Sequence, residues 1–380
     1  MLNELHPFSG YLEKIFGPPG SGKTTRLLEI LQREIDNGTP IERIGYFTFS
    51  NAAADEVSDR FGSSPLWFRT IHSACCRMLG ISGSNTLGKR EYDLLRRKGW
   101  RIQASGLRYD DGTDVDHGIL INCLSTSRNT GRSLLDVVRE KAREYDEVNA
   151  RSMHRFMIDY EDVKRQTGRF DYDDMLARYA FAETPKSPGL DVCIIDEAQD
   201  LSLLQWAAAR QLAFGSKRVY IAGDDDQSIY DFLGAAEYAF LDYPCDATTV
   251  LDRSYRCPEV IGRYATSIIT KLARRQEKDV TWATHEGSVR FRPALNLQEV
   301  YRASHTGSVM ILCRHNYHVA EISQELGRAG VSHVAKKSAL ATSKRTLGIL
   351  AYRQLQKGHS VDRGDVVAMF ASLGDSGNAR

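Results

Sequence analysis

Gly17-Pro-Pro-Gly-Ser-Gly-Lys-Thr24 decides the reading of this chain. The stretch fits G-x-x-x-x-G-K-[ST] throughout, and Ile15-Phe16 before it reads as the end of a short strand. Thr25 to Asn37 after it reads as a helix, with apolar residues at Leu27, Leu28, Ile30, Leu31 and Ile35. A strand, a glycine loop and a helix in that order cradle phosphates, because the loop turns backbone N–H groups toward the helix N-terminus. The candidate nucleotide-binding residues are therefore Gly17, Pro18, Pro19, Gly20, Ser21, Gly22, Lys23, Thr24 and Thr25. Lys23 would reach the β and γ phosphates, and the Thr24 hydroxyl would ligate Mg²⁺.

A second element completes such a site. Val192-Cys-Ile-Ile-Asp-Glu-Ala-Gln-Asp200 places two carboxylates at the end of an apolar strand. Two acids buried after four apolar residues are costly without a cation to balance them. Asp196 is the natural Mg²⁺ partner, and Glu197 can position and deprotonate an attacking water. Together the two stretches favour hydrolysis of a nucleoside triphosphate over binding alone.

Around these motifs, strand-like and helical runs alternate. Ile44–Phe49, Val192–Ile195, Arg218–Ala222 and Thr248–Leu251 read as strands, and Ala52–Phe61 as a helix. The alternation implies an α/β protein with a mostly parallel sheet, whose ligands gather at the carboxyl ends of strands. Gly17, Asp196 and Asp224 all follow apolar strands, as that rule requires. Residues 81–166 differ: charged helical stretches such as Lys89–Lys98 and Ser133–Glu144 suggest a helical insertion. From 251 a second block begins, with strands expected at Val289–Phe291 and Val309–Cys313. Helices are expected there at Leu297–Ser304, Asn316–Gly327 and Ser343–Gln356, before the polar tail Leu373–Arg380.

Composition bounds the rest. The 380 residues allow two domains or more, and the net charge of +1 confines any nucleic-acid surface to a local patch. The seven cysteines are scattered without C-x-x-C spacing, which suits reduced thiols in a cytoplasmic setting. No run approaches the ~18 apolar residues of a membrane span, and residues 1–10 lack a signal-peptide pattern.

Further segments give the chain a likeness. They are Thr48-Phe-Ser-Asn-Ala-Ala-Ala54, Arg69-Thr-Ile-His-Ser73, Phe170-Asp-Tyr-Asp-Asp174, Gly223-Asp-Asp-Asp-Gln-Ser-Ile-Tyr-Asp-Phe232, Ser254-Tyr-Arg-Cys257 and Ile311-Leu-Cys-Arg-His-Asn316. In order and wording they resemble the UvrD/Rep/PcrA branch of superfamily 1 DNA helicases, from about Phe16 to Arg353. The resemblance implies a P-loop NTPase of RecA-like fold, with a first domain over 1–80 and 167–250. A helical insertion over 81–166, in contact with DNA in the family's manner, and a partial second RecA-like domain over 251–380 complete the expected layout. It implies 3′-to-5′ movement on single-stranded DNA, or on duplex with a single-stranded tail, in replication, repair or recombination.

Residue roles follow from the same likeness. Gln227 carries an amide that can donate to a γ-phosphate and accept from the attacking water. Tyr255 would stack on adenine, and Arg256 would reach the γ-phosphate as an arginine finger. Phe49, Asn51, His72, Tyr230 and Phe232 would meet DNA, since stacking on a ring tolerates any base. From the residues alone, the alternative for Tyr230 and Phe232 is ordinary core packing, and for His72 a helix cap or a buried polar group.

The chain also departs from the family pattern. The sixteen residues before Gly17 contain no Gln to read adenine, which shifts that task toward Tyr255. Ala52 and Leu233 stand where a Lys and an Arg are usual. Thr346–Arg353 resembles the last family element before a second insertion, and no later threonine/glycine or arginine motif follows. The expectation is an ATPase with DNA affinity and weak unwinding by itself, completed by another chain or a longer frame. A nucleotide-gated regulatory subunit and an RNA helicase are the competing readings.

Overall fold

In the computed structural model, the described residues are 8, 10–49, 54–55, 57–59, 65–82, 85–102, 118–143, 148–182, 187–228, 236, 238–313 and 316–334. The chain divides into two units, residues 1–108 with 114–290 and residues 109–113 with 291–380.

Six parallel strands form the sheet of the first unit: β1 (Tyr11–Phe16), β2 (Ile44–Thr48), β3 (Phe68–Thr70), β4 (Val192–Ile195), β5 (Arg218–Gly223) and β6 (Ala247–Val250). Their order is β3-β2-β4-β5-β1-β6. Side chains alternate between the two faces, as a pleated strand requires. Leu12, Phe16, Phe47, Cys193, Ile195, Val219 and Ile221 join one core, while Ile15, Ile44, Tyr46, Val192, Ile194, Tyr220 and Ala222 join the other. Both faces are covered, which explains why these strands read as continuous apolar runs. Helix α1 (Lys23–Asp36) covers the second face with Leu27, Ile30 and Leu31. Helix α2 (Ile71–Leu79), capped by the Thr70 hydroxyl accepting from Ser73 N at 3.2 Å, packs on the first.

Between them the chain forms α3 (Lys89–Arg97), α4 (Gly118–Thr130), α5 (Leu134–Lys141) and α6 (Ala150–Thr167). These four helices share a core of their own, built on Leu95, Trp100, Leu120, Cys123, Val137, Met153, Phe156 and Tyr160. Helices α7 (Tyr172–Ala180) and α8 (Leu203–Leu212) return to the sheet.

After β6 come β7 (Arg253–Pro258), α9 (Glu259–Ile269) and β8 (Thr281–Ala283), with β7 and β8 paired as a separate two-stranded sheet. Residues 251–290 stand in the same unit as the large sheet. The second unit contributes α10 (Leu297–Thr306) and α11 (Asn316–Arg328).

Several sequence expectations need correction. Val289–Phe291 and Val309–Cys313 are not strands. Among the described residues neither run has a neighbouring strand to bond, and Phe291, Met310 and Leu312 stand 75%, 82% and 86% exposed. An apolar run becomes a strand only where another edge takes its N–H and C=O groups. The three-residue strand β3 and the pair β7 and β8 went unanticipated, being short and interrupted by Arg69, Arg253 and Arg256. Ala54, Asp55 and residues 57–59 are helical. The rest of Ala52–Phe61, the helix at Ser343–Gln356 and the tail Leu373–Arg380 lie outside the described residues.

Candidate active site

Parallel register brings the site together. Phe16 lies opposite Gly223, and Phe47 opposite Ile195. The residues that follow β1, β2, β4 and β5 therefore leave the sheet at one edge. They are Gly17, Phe49, Asp196 and Asp224.

The glycine loop is tightly folded. Ser21 N donates to Pro18 O at 3.1 Å, and Gly20 and Gly22 take φ of +70° and +85°. A side chain would be strained at either position. Gly22 then serves as the N-cap of α1, so the first helical N–H groups open toward the loop. The Lys23 ammonium is buried and donates to Gly17 O at 2.9 Å, across the mouth of the loop. Ser21 Oγ is buried with no hydrogen-bond partner, as a loop built around a missing acceptor would leave it.

Asp196 is 3% exposed and gathers three donors: Thr24 Oγ1 at 3.1 Å, Tyr46 OH at 2.9 Å and Glu197 N at 2.9 Å. Burial, and then the Glu197 charge, pushes its pKa above the usual carboxylate range against those bonds. Among the described residues no Lys or Arg pairs with Asp196 or Glu197. The half-buried Thr24 hydroxyl beside an unneutralised acid is an oxygen donor set that suits a hard cation such as Mg²⁺. Glu197 adopts φ of 54°, the one positive φ outside glycine among the described residues.

Gln199 links this acid to the next strand end. Its Nε2 donates to Glu197 Oε2 at 3.0 Å, and its Oε1 accepts from Asp224 N at 3.0 Å. Gln227 in turn donates from Nε2 to Asp224 Oδ2. The strand β7 closes the other side. Ser254 Oγ donates to Pro19 O at 2.7 Å, and Tyr255 N donates to Gly20 O at 2.9 Å. A Cβ on Gly20 would lie 2.3 Å from Arg256 Cβ, so Arg256 rests directly on the loop. Both Tyr255 and Arg256 are exposed, and the Arg253 guanidinium lies 5.0 Å from the centre of the Tyr255 ring.

All the residues expected at the nucleotide site thus fall on one edge: Gly17 to Thr25, Asp196, Glu197, Gln227, Tyr255 and Arg256. The DNA candidates divide. Phe49 is half-buried against the first core, and Asn51, Tyr230 and Phe232 lie outside the described residues. His72 is half-buried at the start of α2, with its ring 6.0 Å from that of Tyr172 at 84°. Thr70, not His72, caps that helix. Burial pushes the His72 pKa down to about 4, so the ring is neutral near pH 7. Tyr172 is 62% exposed, which makes the pair an edge open to a flat partner. The neighbouring acids are structural: Asp171 accepts from Tyr160 OH at 3.1 Å and Arg128 at 3.0 Å, and Asp174 from Lys164 at 2.8 Å.

The sequence reading missed Tyr46, Gln199, Ser254, Arg275 and Lys278. The last two bind the run Asp224–Asp226. Tyr46 sits two residues before the end of β2, where alternation could have pointed it toward α1 and Asp196.

Residues 13–247 match the UvrD/REP helicase N-terminal domain, and the chain belongs to that family. It is 24% identical over 373 residues to the ATP-dependent DNA helicase PcrA of Bacillus subtilis, covering 88% of this chain and 50% of that protein. Against PcrA of Staphylococcus aureus it is 24% identical over 298 residues, covering 72% and 40%. A putative ATP-dependent DNA helicase of B. subtilis, YjcD, is 28% identical over 285 residues, covering 68% and 36%. The chain spans half the length or less of these relatives.

Proposed function

We propose that this chain hydrolyses ATP at the β1–α1 loop and uses the cycle to move 3′-to-5′ along single-stranded DNA. The observation that carries the reading is the cluster of Thr24, Asp196 and Glu197 beside the loop that buries Lys23, with Gln227 joined to it through Asp224 and Gln199. Mg²⁺–ATP, when bound, supplies the electrophilic phosphorus and the cation that spreads its charge. Lys23 would hold phosphate charge, and Thr24 with Asp196 would hold the metal. Glu197 takes the proton of the attacking water, and Gln227 orients that water. Arg256 approaches from β7, and an arginine in this role is worth roughly 10³–10⁵ in rate. Tyr255, exposed beside it, offers a ring to the base. The layout of a RecA-like domain over 1–80 and 167–250, a helical insertion over 81–166 and a second domain from 251 belongs to this reading.

The DNA assignment draws on the relatives' names and on exposed Tyr172 beside His72, with Phe49, Asn51, Tyr230 and Phe232 as further contacts. Comparing ATP turnover without nucleic acid, with single-stranded DNA and with single-stranded RNA tests it. Stimulation by DNA supports the reading, and stimulation by RNA alone replaces it. A second reading rests on exposed Met310 and Leu312 in the second unit. Such an apolar run fits a surface completed by further polypeptide. On that reading the chain binds nucleotide and DNA but unwinds little alone, and a strand-displacement assay on the purified chain decides.

A further inference from the structure

Asp224, Asp225 and Asp226 bring three carboxylates close enough to hold a metal ion. The protein fills that place itself. The Lys278 ammonium, on a side chain 1% exposed, lies 3.0 Å from Asp224, 2.6 Å from Asp225 and 2.8 Å from Asp226. Arg275 grips Asp226 with two parallel bonds of 2.8 and 2.7 Å, and Gln276 N donates to Asp225 at 2.6 Å. A planar fork of this kind fixes orientation as well as charge. Residues 275–278 are thus bound to the carboxyl end of β5.

Each end of this attachment leads to the ATP site. On one side, Asp224 N binds Gln199, and Gln199 binds Glu197, while Gln227 binds the Asp224 carboxylate. On the other side, Lys278 stands just before β8, which pairs with β7 through Arg253 and Thr281. Thr281 N also donates to Asp252 O at 2.7 Å. Strand β7 holds the glycine loop through Ser254 and Tyr255 and carries Arg256.

We propose that Lys278 is a positioning residue that couples β7 to the Glu197–Gln227 side of the site, so that the two faces of the ATP site change together. Lys278 does not touch nucleotide; it sets where Asp224 stands, and through Asp224 where Gln227 and Glu197 stand. The inference rests on the hydrolysis reading above for its effect on turnover, and on geometry alone for the coupling.

The test uses the full chain and three variants. Lys278→Met leaves three buried acids without their cation and carries a risk of unfolding. Lys278→Met combined with Asp225→Asn and Asp226→Asn removes that excess charge. Lys278→Arg keeps the charge. Turnover, affinity for a fluorescent ATP analogue, and hydrogen exchange at residues 223–228 and 253–258 are measured with and without Mg²⁺ and a non-hydrolysable analogue. In the folded triple variant, turnover falls at least about tenfold while nucleotide affinity stays within about threefold. Nucleotide then protects 253–258 without changing 223–228, whereas in the native chain both respond, and Lys278→Arg restores part of the turnover. Native turnover in a folded triple variant, with both segments responding together, overturns the proposal. A native chain that binds nucleotide without hydrolysing it sinks the hydrolysis reading, and the exchange comparison still decides for Lys278.

Discussion

Two acidic runs stand at the same edge of the sheet, and the protein treats them in opposite ways. Two of the three charges on Asp224–Asp226 are balanced from within by Lys278 and Arg275. Asp196-Glu197 has hydroxyls and backbone N–H groups around it, but no cation among the described residues. Burial alone would raise the pKa of Asp226, yet the Arg275 and Lys278 contacts outweigh it and hold the group below the usual range. Asp196, more deeply buried and without a cation beside it among the described residues, moves upward. The difference separates a carboxylate that needs a partner from outside from carboxylates that already have one. On the proposed reading the metal belongs at Thr24 and Asp196 rather than at Asp224–Asp226, whose sequence looks the more acidic of the two.

The strongest way to break this comparison is Glu197→Gln. Turnover should fall by about 10² or more, with nucleotide binding retained, in a steady-state ATPase assay. Unchanged turnover would remove Glu197 as the base. Next comes Asp226→Asn, which strips a buried pair of one charge. The fold should lose about 3 kcal/mol in chemical denaturation, since Arg275 and Lys278 keep their charges. Asp196→Asn should do the reverse in the nucleotide-free chain, raising stability by about 1 kcal/mol, and should abolish the added stability that Mg²⁺–ATP confers. A loss of stability at both positions would mean that the two runs do not differ.

The smallest effect concerns His72, a half-buried group with no charge partner among the described residues. Its folded pKa of about 4 lies below the 6.5 of an unperturbed histidine, so the unfolded chain binds the extra proton first. Stability should be full above pH 6.5 and decline as pH falls toward 4, by about 1 kcal/mol for a half-exposed ring. His72→Gln should flatten that part of the profile, read by thermal unfolding across the range.

Much of the candidate site's layout was legible because its residues are local in sequence. The glycine loop, Asp196 and Gln227 each follow an apolar run, and a parallel sheet assembles them without further information. What stayed hidden depends on long-range pairing. Lys278 lies 53 residues from Asp225, in a polar stretch that reads as a solvated surface. Gln199 sits inside a motif read for its acids, and its amide matters only because β5 lies beside β4. The strands expected at Val289–Phe291 and Val309–Cys313 failed for a related reason. Their composition was right, but a strand is a property of a pair. Three DNA candidates, Asn51, Tyr230 and Phe232, fall outside the described residues.

The left-handed backbone of Glu197 carries one more consequence. For a residue with a side chain this conformation costs about 1–2 kcal/mol, and glycine would adopt it freely. Glu197→Gly would therefore be an inactivating change that toughens the fold. A laboratory campaign that screened this protein for heat resistance alone would be drawn to the very residue proposed as the base. Any such screen has to score hydrolysis in every round, or it will breed sturdy, silent descendants.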